Sequence, residues 1–186
     1  ILQERFVDLT KRSDEENRIL RQTPSSALGS CRYKLKRDNI KDFERLFEIM
    51  EKYDIETLFY TGGNDSMDTA DKLNKYFSSI NYDCIVMGIP KTIDNDVACT
   101  EITFGYNTAV SVAAEALDRL HTTAETHHRI MVLEVMGRFA GWIALESAIS
   151  GGADVALIPE IPYDIQKAAQ KIINRKNRGK NFSIVV

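Results

Sequence analysis

Cys84-Ile85-Val86-Met87-Gly88-Ile89 runs directly into Pro90-Lys91-Thr92-Ile93-Asp94-Asn95-Asp96, an apolar stretch followed by a charged one. An apolar run of that length, bounded by glycine and proline, suits a buried parallel strand. In open α/β sheets ligands gather beyond the ends of such strands. The charged stretch carries Lys91, Asp94 and Asp96 close together, which marks it as a candidate catalytic loop. Asp and Asn also form ordinary turns by bonding their own backbone, and an isolated D-N-D reads that way. Lys91 and the pattern of the surrounding chain weigh towards chemistry.

Working backwards, Thr57-Leu58-Phe59-Tyr60 reads as a strand and Gly62-Gly63-Asn64-Asp65-Ser66 as a tight loop. Met67, Ala70, Leu73 and Phe77 form the buried stripe of the helix that follows. Two glycines let backbone approach a ligand, and the amides opening a helix favour an anion. Asp65 or Ser66 could equally cap that helix. Before this unit, Ile40, Phe43, Leu46, Phe47 and Met50 predict a helix over 41–53. The polar segment 1–23 is helix-compatible and ends before Thr23-Pro24. Ser25-Ser26-Ala27-Leu28-Gly29-Ser30 is a small-residue loop ahead of Arg32 that could hold a phosphate.

Working forwards, the spacing predicts a helix over 104–121, a strand over 130–135 and a helix over 142–149. A strand over 155–158, a helix over 165–174 and a strand over 182–186 follow. Strand and helix alternate throughout, which implies parallel strands with helical crossovers and a layered α/β fold. No internal repeat interrupts the pattern.

The 186 residues suffice for one domain or parts of two. A formal charge of −3 without a basic block predicts no nucleic-acid partner and no membrane surface. No apolar run approaches a membrane span, and the first residues are not a signal peptide. Cys31, Cys84 and Cys99 form no C-x-x-C pair, so reduced thiols and a cytoplasmic location are expected, with Cys84 a core residue. His121, His127 and His128 lack partners at metal-ligand spacing. The chain does not begin with Met and ends in the apolar Phe182-Ser183-Ile184-Val185-Val186. Both ends look cut, and the 186-residue chain alone is expected to be inactive.

Four ordered motifs resemble the phosphofructokinase family: Gly62 to Ser66, Pro90 to Asp96, Thr103-Phe104-Gly105-Tyr106, and Glu134-Val135-Met136-Gly137-Arg138. The resemblance covers nearly the whole chain from about Thr23. It implies layered parallel sheets, with 1–105 belonging to a phosphoryl-donor-side domain and 106–186 to a fructose 6-phosphate-side domain, both incomplete. The implied reaction is phosphoryl transfer to the 1-hydroxyl of fructose 6-phosphate, a glycolytic step. Asp94 is then the general base, Thr92 and the backbone of Ile93 orient the acceptor, and Met136, Gly137 and Arg138 contact the sugar phosphate. Arg129 matches an arginine that reaches the sugar phosphate of a neighbouring subunit, which implies a homo-oligomer. Arg32, Gly63, Asp65, Ser66 and Lys91 fall on the donor side. Magnesium is the implied cofactor, with Asp96 acting through water, and Asn64 stands where many members carry a metal-binding aspartate. An amide oxygen is a weaker ligand for that hard cation.

The same resemblance bears on the donor. Members that use ATP resemble G-G-D-G and P-G-T-I-D-N-D, whereas Asp65 and Lys91 replace the glycines here, as in the pyrophosphate-dependent branch. A carboxylate ~4 Å from the α-phosphate of ATP, at an effective dielectric near ~20, repels it by about 4 kcal/mol, on the order of a thousandfold in affinity. Lys91 would stabilise the transferring phosphoryl group. The alternatives are an ATP-dependent relative and a non-catalytic regulatory subunit of the same fold, in which the base and its neighbours should have degenerated. A plain dinucleotide-binding module would need G-x-G-x-x-G, which is absent.

Overall fold

The computed structural model describes residues 1–24, 27 and 29–186. Its elements are α1 (Asp14–Gln22), α2 (Ile40–Lys52), β1 (Thr57–Gly62), α3 (Asn64–Ser79), β2 (Ile85–Thr92), β3 (Phe104–Gly105), α4 (Tyr106–His127), β4 (Ile130–Val132), α5 (Trp142–Ser150), α6 (Ile165–Asn177) and β5 (Ser183–Val185). One sheet has the order β1-β2-β3 and a second pairs β4 with β5. The α/β alternation read from the sequence is therefore present. The strands β2 and β3 are parallel, as are β4 and β5.

The chain divides into two compact units, Ile1–Tyr60 with Asp65–Gly88, and Thr61–Asn64 with Ile89–Val186. Residues 89–105 group with the C-terminal part because Lys91 pairs with Phe104 and Ile93 packs beside Tyr106, Ala113 and Ile143.

In the first unit the stripes of α2 and α3 meet in one core of Leu35, Phe43, Leu46, Met50, Leu73, Phe77 and Cys84. Burying each large side chain contributes about 1.5–3 kcal/mol. Only residues 14–22 of the expected N-terminal helix form one. Ser13 and Glu16 close a capping box there, and Leu9–Lys11 is a separate 3-10 turn. In the second unit α4 presents Leu117 and Ala124 to Ala144 and Ala148 of α5 and to Ile184 of β5.

The two-residue β3 occupies the start of the helix expected over 104–121, and the strands expected over 130–135 and 155–158 fall short. The run 130–135 is strand only to Val132, although the Leu133 amide still donates to the Val185 carbonyl at 2.8 Å. The run 155–158 makes a single parallel bridge, Val155 to Val185, because its pairing with β5 extends only as far as the Leu157 amide.

Candidate active site

In the second unit β2 continues through Thr92, so Lys91 and Thr92 end a strand and do not lie in a loop. The Ile93 side chain turns into the apolar cluster around Tyr106. Gly105, at φ +100°, makes room for it, since a Cβ there would lie 3.3 Å from the Ile93 methyl. Only the backbone of Ile93 thus remains to meet an acceptor. The Asp94 amide donates to Thr92 Oγ1 at 3.2 Å, which starts the turn. Asp94 is half-buried, and its Oδ1 is buried with no hydrogen-bond partner among the described residues. Lys91 and Asp96 are exposed.

Burial is the main cause that raises the Asp94 carboxyl above the usual carboxylate range. The charge of Asp96 adds to it and Arg138 opposes it. An unpartnered oxygen with raised basicity suits a proton acceptor. The shift also fixes a pH dependence of stability. Because the folded-state pKa is raised, the stabilisation is full below the unfolded value of about 3.9 and is lost as pH climbs through the folded value. Asp94→Ser is therefore expected to raise Tm at pH 7 in magnesium-free buffer, with a gain that shrinks towards pH 3. An equal gain at both pH values would show that ionisation is not its cause.

Beyond β4, Met136 is exposed while Gly137 is buried at φ +147° and Arg138 adopts φ +56°. The Arg138 guanidinium lies over the Phe139 ring, 5.0 Å from its centroid. Met136, Gly137, Arg138, Gly141 and Pro159 help line a cavity of about 290 Å³. A Cβ at position 137 would stand 2.3 Å from the Ala140 carbonyl oxygen, and that φ is accessible essentially to glycine alone. Gly137→Ala is accordingly expected to destabilise the fold by about 1–3 kcal/mol, read as a lowered Tm in thermal unfolding. At the mouth of α5 the Gly141 amide donates to Glu160 Oε1 at 2.7 Å. Arg129 follows the left-handed His128 that ends α4, and its side chain is exposed.

The expected loop 62–66 is instead the end of β1, the single residue Gly63 and the first turn of α3. Asp65 and Ser66 consequently lie inside the helix and do not cap it. Gly63 faces Thr92 Cβ and the Lys91 carbonyl at 3.8 and 4.0 Å, measured from a Cβ placed on it. Asn64 is exposed and Ser66 half-buried.

In the first unit Lys34 Nζ stands 3.2 Å from Asp65 Oδ1, with the two side chains 65% and 79% exposed. Sequence reasoning missed Lys34, whose distance along the chain leaves no periodic signal. Arg32 is exposed. Of the small-residue loop before it, Ser25, Ser26 and Leu28 lie outside the described residues. A larger cavity of about 590 Å³, lined by Leu2, Leu35, Leu46, Tyr60 and Leu73, contains none of the predicted site residues.

Among the described residues no group of three His, Cys, Asp or Glu side chains could hold a metal by itself. Asp96 and Asn64 are both exposed, and magnesium is commonly held by one or two carboxylates together with substrate phosphates.

Residues 2–186 match the family described as Phosphofructokinase. The α/β fold and its strand-end acidic loop thus sit in a chain that belongs to the phosphofructokinase family. It is 54% identical over 139 residues to "ATP-dependent 6-phosphofructokinase 2" of Clostridium perfringens, covering 75% of this chain and 36% of that protein. Among solved structures it is similar to a pyrophosphate-dependent phosphofructokinase from Marinobacter aquaeolei, with a TM-score of 0.87 and 33% identity over 100% of this chain and 48% of the other. A second, from Nitrosospira multiformis, gives 0.86 and 34% over 97% and 47%. The chain spans between about a third and a half of the length of these relatives.

Proposed function

We propose that the protein is a 6-phosphofructokinase that takes its phosphoryl group from pyrophosphate and returns orthophosphate and fructose 1,6-bisphosphate. The observation that carries the reading is the half-buried Asp94, with an unpartnered Oδ1 and raised basicity in a chain of this family. In the proposed step the sugar 1-hydroxyl oxygen bonds to the terminal phosphorus while the bridging P–O bond breaks and orthophosphate departs. The hydroxyl proton passes to the Asp94 carboxylate. Thr92 and the Ile93 backbone orient the acceptor, and Met136, Gly137 and Arg138 contact fructose 6-phosphate, Arg138 offering a charged planar fork to its oxygens. Lys91 neutralises the transferring group, with Arg32, Gly63 and Ser66 on the donor side. Magnesium, when bound with Asp96 and Asn64, supplies charge neutralisation on the phosphates.

Asp65 and Lys91 support pyrophosphate as donor. The name of the Clostridium perfringens relative favours a second reading, with ATP in that place. The functional division at 105/106 and a homo-oligomer joined through Arg129 belong to the same proposal, as does a cytoplasmic setting. The three cysteines are free, and no helix among the described residues is long and apolar enough to cross a membrane. Assaying the full-length protein with fructose 6-phosphate and magnesium, with pyrophosphate and ATP side by side, tests the reading. Turnover with pyrophosphate at least tenfold faster than with ATP supports it. The reverse ratio selects the second reading, and no turnover with either overturns both.

A further inference from the structure

Residue 94 is straddled by two anchors that both end on Thr103. On one side the Thr103 hydroxyl donates to the Thr92 carbonyl at 2.6 Å. On the other, Asn95 Oδ1 accepts the Thr103 amide at 2.9 Å while its Nδ2 donates to the Glu101 carbonyl at 3.2 Å. The two backbone partners have fixed polarity, so the carboxamide fits in one orientation only. Asn95 adopts φ +53°, a left-handed conformation that asparagine tolerates better than most residues. Thr103 is 2% exposed and immediately precedes β3, where Phe104 pairs with Lys91. Ile93, between the anchors, is held by the core. The backbone of residue 94 is therefore fixed on both sides, which leaves its side chain as the main freedom.

We infer that Asn95 and Thr103 are positioning residues for phosphoryl transfer, holding the Asp94 carboxylate towards the acceptor without touching substrate themselves. The inference rests on Asp94 acting as the base. A misplacement of about 1 Å can cost on the order of 10²-fold in rate, so loss of either anchor should appear in kcat. It should not appear in the binding of fructose 6-phosphate, which other residues provide.

The test uses the full-length protein with saturating magnesium and fructose 6-phosphate and whichever of pyrophosphate or ATP it turns over. Asn95→Gly keeps the left-handed backbone accessible and removes both bridges. It should lower kcat about ten- to a hundredfold, with KM for fructose 6-phosphate changed by less than about threefold. Thr103→Val should lose about tenfold, and Thr103→Ser, which restores the hydroxyl, should recover most of that loss. Thermal unfolding confirms that each variant is folded at the assay temperature. The deciding measurement repeats Asn95→Gly in an Asp94→Ser background, where the further loss in kcat should be under about twofold, because residues acting through one group are not additive. A full additional loss in that background, or a raised KM with kcat unchanged, overturns the positioning role while leaving Asp94 as base. Near-normal turnover of Asp94→Ser, or no turnover by the unmodified protein with either donor, overturns both.

Discussion

Asp94→Ser in the full-length protein is expected to lower kcat by a factor of about 10² to 10⁴, the usual contribution of a positioned general base. Fructose 6-phosphate binding should change by less than about threefold, because in the proposed step Asp94 meets only the reacting hydroxyl while Met136, Gly137 and Arg138 contact the sugar phosphate. The structure sharpens the expectation. Asp94 Oδ1 has no internal partner among the described residues, so the substitution breaks no hydrogen bond from that atom, and its loss should not unfold the turn. The Thr92 bond to the residue 94 amide and the Asn95 bridge are made without the carboxylate. Direct binding measurements on the variant separate the two effects. Turnover within a few-fold of the unmodified protein would remove Asp94 from the mechanism.

The second large effect concerns the donor. A full repulsion of about 4 kcal/mol between Asp65 and the α-phosphate of ATP presumes a partly desolvated carboxylate. Asp65 is instead 79% exposed and has Lys34 as a counter-ion at 3.2 Å. In a water-like dielectric the same separation gives about 1 kcal/mol, so Asp65→Gly alone should improve kcat/KM for ATP by only about five- to tenfold. In the proposed site Lys91 carries the larger share. It is exposed at the end of β2, and removing a charge from a transferring phosphoryl group costs on the order of 10²-fold in kcat. The double variant Asp65→Gly, Lys91→Gly should thus raise the ATP-to-pyrophosphate ratio of kcat/KM by about a hundredfold or more, chiefly through lost pyrophosphate turnover. Lys34→Ala should lower kcat/KM for ATP a few-fold when Asp65 is present and leave it unchanged in the Asp65→Gly background. A ratio that does not move in the folded double variant would leave donor choice to other residues.

Much of this was legible before the structure. The stripes of α2, α3 and α4 follow the helical period, and their buried members Phe43, Leu73 and Leu117 are core residues as expected. Element ends were less legible. Proline and glycine suggested that β2 stopped before Lys91, yet it runs on to Thr92, where pairing with β3 covers only Lys91 and Thr92, past Pro90. The glycine pair suggested a loop where one residue, Gly63, suffices between strand and helix. The contacts of Asn95, Thr103 and Lys34 carried no signal because their partners are fixed by chain reversal, and neither helical nor strand periodicity marks contacts of that kind.

Glu160 has a consequence for how an incoming anion is received. Its carboxylate already takes the Gly141 amide at the mouth of α5, beside the cavity that Met136, Gly137 and Arg138 line. The chain has in effect furnished that helix with an anion of its own, and a substrate phosphate arriving there would have to evict it. A resident carboxylate screens the helix dipole from a second negative group. A phosphate received near α5 would thereby depend less on the helix amides and more on a cationic side chain such as the exposed Arg138, which lines the same cavity.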